Sequence, residues 1–240
     1  SGVVDVVNLG DAIAVVADSY WQAKKALAAV TIEWTSSEFD KYSSNSIFSQ
    51  FSDDMTATRS NGSSNTDIKV GDASAIISSA ENVIKRSYTV PYLAHACMEP
   101  MNAVADVKDG QCELWTGTQD PLGFKHKIAE ALSIESDQVT VNNQLLGGGF
   151  GRRNVADTAI QAARISQSIG KPVKLIWSRE EDTQQDFYRQ ANLSRFKAGI
   201  NEKGTPTHWV NQYVDKHEPA EAPHIPYDIP NQWIHYADSP

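Results

Sequence analysis

An α+β fold with mixed sheets is predicted for this 240-residue chain by three observations. Strand-like and helix-like segments alternate along much of its length. Hairpin signals sit beside connections long enough to be crossovers. One helix is entered straight from a glycine-rich turn at the end of a strand. Hairpins argue against a strictly doubly wound sheet, in which every pair of strands needs a crossover. An apolar fraction of 40% is ample for a core in a chain of this size.

Taken in order, Ile13 to Ala17 reads as a short apolar strand. Asp18 and Ser19 supply acceptors for the first turn of a helix to about Ala28, with Asp18 a good N-cap. Val30 to Trp34 alternates with period two, as a strand does. This β-α-β piece is too small to bury a core alone. From Thr35 to about Thr66, Ser, Asn, Asp and Thr dominate, and Phe39, Tyr42, Phe48 and Phe51 follow no strong period. Residues 35–70 therefore read as a surface linker. Gly71 and Asp72 open a short helix to Ser79, and Asn82 to Val90 returns to strand. Strands at Ala103 to Val107 and Cys112 to Thr116 flank Asp109-Gly110, a hairpin signal.

Asp120 at N-cap and Pro121 at N1 start the next helix, with Leu122, Ile128, Ala129 and Leu132 as its buried face. A strand from Val139 leads into the glycine loop. A helix from Val155 to Ile169 follows and ends at Gly170. Val173 to Trp177 is a strand, Ser178 to Glu181 resembles a capping box, and Asn192 to Ile200 with Thr207 to Val214 forms a hairpin.

A net charge of −9 and a pI near 5.1 argue against nucleic acid as a partner. No stretch approaches the length of a membrane span. Two cysteines, Cys97 and Cys112, cannot supply the four thiolates of an iron–sulfur cluster. The start at Ser1-Gly2-Val3-Val4 and the aromatic, proline-rich end at Pro240 both read as cut from something longer.

The most informative stretch is Gly147-Gly148-Gly149-Phe150-Gly151-Arg152-Arg153. Glycine permits positive φ and close approach to the peptide groups. The helix beyond adds unpaired N–H groups, and two arginines add bidentate donors. The bare expectation is a cradle for an anionic or oxo-rich ligand. No Gly-Lys-Ser/Thr follows, so it is not a Walker A loop. No acid stands about twenty residues on, where a dinucleotide fingerprint requires one.

Elsewhere, Gln119 follows a strand end, a place where ligand contacts gather. His95-Ala96-Cys97-Met98-Glu99 concentrates an imidazole, a thiol and a carboxylate. Glu99 reads either as a site residue or as a carboxylate satisfying backbone donors. His126, His208, His217, His224 and His235 are scattered without zinc-site spacing. Glu180, Glu181, Asp182 and Asp186 read as helix-start acids serving the dipole.

Tyr92 to Pro100, Thr116 to Gln119, Leu146 to Arg153 and Ser178 to Asp182 occur in one order and spacing. That combination resembles the molybdenum-binding large subunit of the xanthine dehydrogenase and aldehyde oxidase family. Gly149-Phe150-Gly151-Arg152-Arg153 and Asp186-Phe187-Tyr188-Arg189 favour the branch of isoquinoline 1-oxidoreductase beta subunits and bacterial aldehyde dehydrogenases.

The resemblance implies the tail of an α/β-hammerhead domain at 1–34, a linker at 35–70, and the first part of a molybdopterin-cofactor-binding domain at 71–240. It implies molybdopterin, in the cytosine dinucleotide form, held by Gln119, Gly148, Gly149, Phe150, Gly151 and Arg152. Glu99 and Asn154 would lie on the substrate side, Asn154 standing where xanthine dehydrogenases carry a substrate-orienting glutamate. The implied chemistry is water-derived hydroxylation of an aromatic N-heterocycle or an aldehyde, with electrons passing to a small iron–sulfur subunit. The family's catalytic glutamate has no counterpart here, so the chain is expected to be inactive alone, with no catalytic base and no protein metal ligand. A non-catalytic anion-binding or subunit-assembly module is the alternative.

Overall fold

The structure, a computed structural model, describes residues 2–61, 65–80, 82–214 and 224–239. In chain order the elements begin with β1 (Val3–Asn8), β2 (Ile13–Ala17), α1 (Tyr20–Leu27), α2 (Ser44–Asn61), β3 (Asn65–Val70), α3 (Ala73–Ser79) and β4 (Val83–Val90). There follow β5 (Asn102–Lys108), β6 (Gln111–Thr116), α4 (Pro121–Leu132), β7 (Val139–Asn143), α5 (Asp157–Ile169), β8 (Val173–Ile176) and α6 (Arg179–Gln184). The last three are β9 (Asn192–Ile200), β10 (Pro206–Val214) and β11 (Asn231–Ala237). The fold is α+β with mixed sheets, as the alternation of elements predicts.

Two compact units divide the chain. The first joins Ser1–Trp34 to Ala94–Arg189. It carries the β1–β2 hairpin and a four-stranded sheet in the order β7-β6-β5-β8. Strands β5 and β6 are antiparallel across Asp109-Gly110, and both residues take positive φ, 51° and 76°. Those angles give the primed turn that suits strand twist. Strand β7 then pairs parallel to β6, which α4 makes possible by crossing over between them. Ala103, Ala105, Cys112, Leu114 and Val139 of the sheet pack against Phe124, Ile128, Ala129 and Leu132 of α4 and the alanines of α5. Small residues on α5 let the helix lie close to the strands, and this fixes where the loop entering α5 can go.

The second unit joins Thr35–Leu93 to Gln190–Pro240. Its five-stranded sheet runs β3-β11-β10-β9-β4, antiparallel except for the β10–β11 pair. Phe51 and Met55 of α2 are buried with Ala191, Leu193, Val214 and Ala237.

Several expectations are corrected. The 35–70 segment, expected to be a linker, contains the 18-residue helix α2 and the sheet strand β3. Its apolar residues do have a period once Ile47 and Met55 are counted with Phe48 and Phe51, which together fill one helical face. Consequently the compact units are cut differently from a 1–34, 35–70, 71–240 division. Val30 to Trp34 forms no strand, and Trp34 is 66% exposed. Ser19 rather than Asp18 caps α1, accepting from Gln22 N–H. In α4, Leu122 is 75% exposed while Phe124 takes the buried place. Helix α5 starts at Asp157, because residues 152–154 form a short 3-10 turn first. Ser178 caps α6 through Glu181 N–H. Strand β11 was not foreseen. His217 lies outside the described residues.

Candidate functional site

Four segments of the first unit meet at the glycine loop. They are His95–Met101, Gly117–Gln119, Gly147–Arg153 and Ser178–Asp186. The loop follows β7 and precedes α5. It is bent by three residues of positive φ: Gly148 (φ 100°), Phe150 (φ 55°) and Gly151 (φ 101°). For Phe150 a positive φ carries strain that glycine would avoid, so the surrounding contacts must hold it.

Those contacts come from beneath. Arg153 is fully buried, and its guanidinium donates to the carbonyls of Gly148 (2.9 Å), Gly117 (3.2 Å) and Glu99 (3.0 Å). It also pairs with the Glu99 carboxylate at 2.9 Å. One side chain thus ties three of the four segments together. The Arg153 carbonyl in turn accepts from Gln119 N–H (3.1 Å) and the Thr118 hydroxyl (2.9 Å).

Arg152 is buried as well. Its terminal nitrogens donate to both oxygens of Asp157, at 3.0 and 2.7 Å, and Nε lies 2.9 Å from Asp186 Oδ1. The guanidinium also lies between the rings of Trp177 and Phe187, at 5.6 and 5.5 Å from their centroids. The expectation that Arg152 reaches a ligand oxyanion is therefore replaced. Both guanidinia are occupied inside the protein, where a buried charge requires such partners.

Glu99 behaves as the backbone-satisfying carboxylate. Oε2 accepts from Gly147 N–H at 2.8 Å, Oε1 accepts from Asn102 at 2.9 Å, and Glu99 N–H donates to Gly147 at 3.1 Å. Burial works to raise its pKa. The Gly147 and Asn102 hydrogen bonds and the Arg153 charge outweigh burial and hold it below the usual carboxylate range. Asn154 is exposed at the end of the 3-10 turn, and its carbonyl accepts from Lys127 at 3.1 Å.

The opposite face is open. Gln119 is exposed, and its Oε1 accepts from Gly151 N–H at 3.0 Å. A Cβ on Gly149 would stand 2.5 Å from that same oxygen, so glycine here is a condition for the Gln119 clamp. Likewise a Cβ on Gly147 would stand 2.6 Å from Glu99 Cβ. Phe150 is 63% exposed. Among the described residues, no acceptor is met by the Gln119 side-chain amide or by the backbone N–H groups of Gly148, Gly149 and Phe150. That donor set fits an oxygen- and sulfur-rich ligand laid against the loop.

Sequence reasoning missed the importance of two acids. Asp182, 4% exposed, accepts from Met101 N–H and pairs with Arg179, whose other arm donates to Met98 O at 2.6 Å. Asp186, with a side chain 2% exposed, accepts from His95 N–H, lies 3.0 Å from His95 Nδ1 and forms an ion pair with Arg152, whose Nε is 2.9 Å away. Two adjacent arginines in an acidic chain were the available signal that buried carboxylates must exist nearby. Cys97 is buried with its Sγ 3.4 Å from Gly149 O, and burial pushes its thiol pKa up, so it is poorly suited to act as a nucleophile.

On this α+β scaffold the glycine loop is pinned by ion pairs to buried arginines and carries backbone N–H groups and one amide that meet no acceptor among the described residues. The family model described as "Molybdopterin cofactor-binding domain" matches residues 55–232, and the chain belongs to that family. It is 32% identical over 213 residues to the isoquinoline 1-oxidoreductase subunit beta of Brevundimonas diminuta, covering 84% of this chain and 26% of that one. It is 34% identical over 190 residues to the membrane-bound aldehyde dehydrogenase [pyrroloquinoline-quinone] of Gluconacetobacter polyoxogenes, covering 79% and 24%. The chain thus spans about a quarter of the length of these relatives. Quinoline 2-oxidoreductase from Pseudomonas putida 86 shares the fold over 93% of this chain and 31% of its own, with a TM-score of 0.69 at 17% identity.

Proposed function

We propose that this chain forms one wall of the molybdopterin pocket in the large subunit of a molybdenum hydroxylase that oxidises an N-heterocycle or an aldehyde. The observation that carries the reading is the loop itself. In a chain of the molybdopterin-binding family, buried arginines and Glu99 pin Gly147–Arg153 from below, while the N–H groups of Gly148, Gly149 and Phe150 and the Gln119 amide meet no acceptor among the described residues. When bound, the cofactor supplies the redox chemistry of a water-derived hydroxylation.

The chain's own part is to bind and orient. Gly148, Gly149, Phe150 and Gly151 would hold the group through the backbone, and the Gln119 amide would donate to one of its oxygens. Arg152 contributes by keeping the loop in place. Exposed Phe150 excludes water on the ligand side. Names of the relatives support a heterocycle or aldehyde as substrate, the cytosine dinucleotide form of the cofactor follows the same branch, and a small iron–sulfur subunit would take the electrons. Residues 1–34 would be the tail of an α/β-hammerhead domain. The chain holds no candidate for the family's base, so alone it should not turn over. The anion-binding alternative is weakened by the inward arginines.

Expression of the polypeptide containing this chain in a host that makes the molybdenum cofactor tests the reading. Metal analysis should give molybdenum, and acid release should give cytidine monophosphate with the pterin. Protein free of both would sink the proposal. Measurable oxidation of a heterocycle or aldehyde by the isolated 240-residue chain would sink its one-wall character.

A further inference from the structure

We propose that His95 is a hydrogen-bond acceptor for the ligand of this site, set in that role by Asp186, and that it selects a heterocycle bearing an N–H or O–H group over an aldehyde. The proposal rests on the reading above and narrows its substrate class.

The imidazole is held at one end only. His95 Nδ1 lies 3.0 and 3.1 Å from the two Asp186 oxygens, and the same carboxylate receives His95 N–H. Asp186 Oδ1 is also 2.9 Å from Arg152 Nε. A buried carboxylate beside a guanidinium only accepts, so the hydrogen of a neutral imidazole sits on Nδ1 and leaves a lone pair on Nε2. The same logic orients histidine wherever a carboxylate holds its far nitrogen.

The His95 side chain is 10% exposed. Its Nε2 meets no hydrogen-bond partner among the described residues and is not among the polar atoms sealed from solvent. It stands 3.8 Å from the point where a Cβ on Gly151 would lie. Gly151 is the residue whose N–H the Gln119 oxygen holds, so Nε2 stands beside the part of the loop that Gln119 clamps. A purely architectural histidine would need Nδ1 alone. An aldehyde has no N–H or O–H to offer Nε2, whereas a ring N–H or a ring hydroxyl does.

Nitrogen-15 imidazole spectra of the chain give the first readout, which needs no cofactor. In the neutral imidazole Nε2 should be the unprotonated nitrogen; a dominant Nε2–H tautomer would overturn the proposal. Titration of the longer polypeptide that contains this chain with 2-pyridone, the N–H probe, should move the His95 Nε2 signal saturably. N-methyl-2-pyridone should not, and equal shifts or none with both probes would overturn the assignment. Two variants separate the roles. Glutamine reproduces the position of Nε2 and asparagine that of Nδ1, so in probe-binding titrations His95→Gln should keep a several-fold preference for 2-pyridone and His95→Asn should lose it. The reverse result would make His95 only a partner of Asp186. Because these readouts require no molybdenum, they can fail while the cofactor content stands, and the converse holds equally.

Discussion

The two faces of the glycine loop are built from opposite materials. Below, Arg152 and Arg153 are almost wholly removed from solvent and turn their guanidinia to carboxylates and carbonyls of the protein. Above, Phe150 and Gln119 are exposed, and the N–H groups of Gly148, Gly149 and Phe150 meet no acceptor among the described residues. The charged residues that look most like ligand donors are scaffold, and uncharged residues make up the exposed side of the loop. An arginine buys rigidity here rather than affinity, holding a positive-φ phenylalanine in a conformation it would not otherwise keep.

The contrast is broken most severely from beneath. Arg153→Met leaves Glu99 without its ion pair and three carbonyls without a donor, and should cost about 3–5 kcal/mol in denaturant unfolding of the first unit. A loss under about 1 kcal/mol would mean the buried network is not what holds the loop.

Gly149→Ala and Gly147→Ala come next, at about 1–3 kcal/mol each by overpacking. They differ in kind: the alanine at 149 meets the end of the flexible Gln119 side chain, and that at 147 meets Glu99 near its backbone. Gly147→Ala should therefore be the more costly of the two. Amide exchange should show Gly151 N–H losing protection only in Gly149→Ala, where Gln119 is displaced.

Acid acts on the same underside. Glu99 titrates below its ordinary value of 4.5 in the folded chain, so the unfolded chain takes up its proton first as pH falls. The stabilisation from Glu99 is full above that ordinary value and disappears as pH drops through the lower folded value. Wild type minus Glu99→Gln, followed in urea from pH 6 to pH 2, should show a difference that shrinks in that acid window. A difference that grows towards acid would contradict the assignment.

Least affected should be the open face. Phe150→Ala is expected to leave stability within about 0.5 kcal/mol, and Phe150→Gly to raise it slightly by relieving the positive φ. A large loss on Phe150→Ala would show that the ring packs rather than projects.

Much of this was legible in the residues. Asp109-Gly110, Asp120-Pro121 and Gly170 are local signals, and local geometry suffices to read them. Helix α2 was hidden by Ser, Asn, Thr and Asp, poor helix formers whose cost is met by burying Phe51 and Met55. Strand β11 was hidden because its parallel pairing with β10 is non-local. At the site, the resemblance brought Glu99, Gln119 and the glycine loop together. The direction in which Arg152 points did not follow from it, because it depends on Asp157 and Asp186, and their distance in space is fixed only by the packing of the unit.

The central claim is that the ligand is held by backbone groups and Gln119 while the arginines hold the loop. Molybdenum and pterin content of the cofactor-loaded polypeptide, measured for wild type, Gln119→Ala and Phe150→Ala, tests it most directly. Gln119→Ala should lose several-fold in content with unfolding behaviour close to wild type, and Phe150→Ala should keep most of it. Full content in Gln119→Ala would contradict the account.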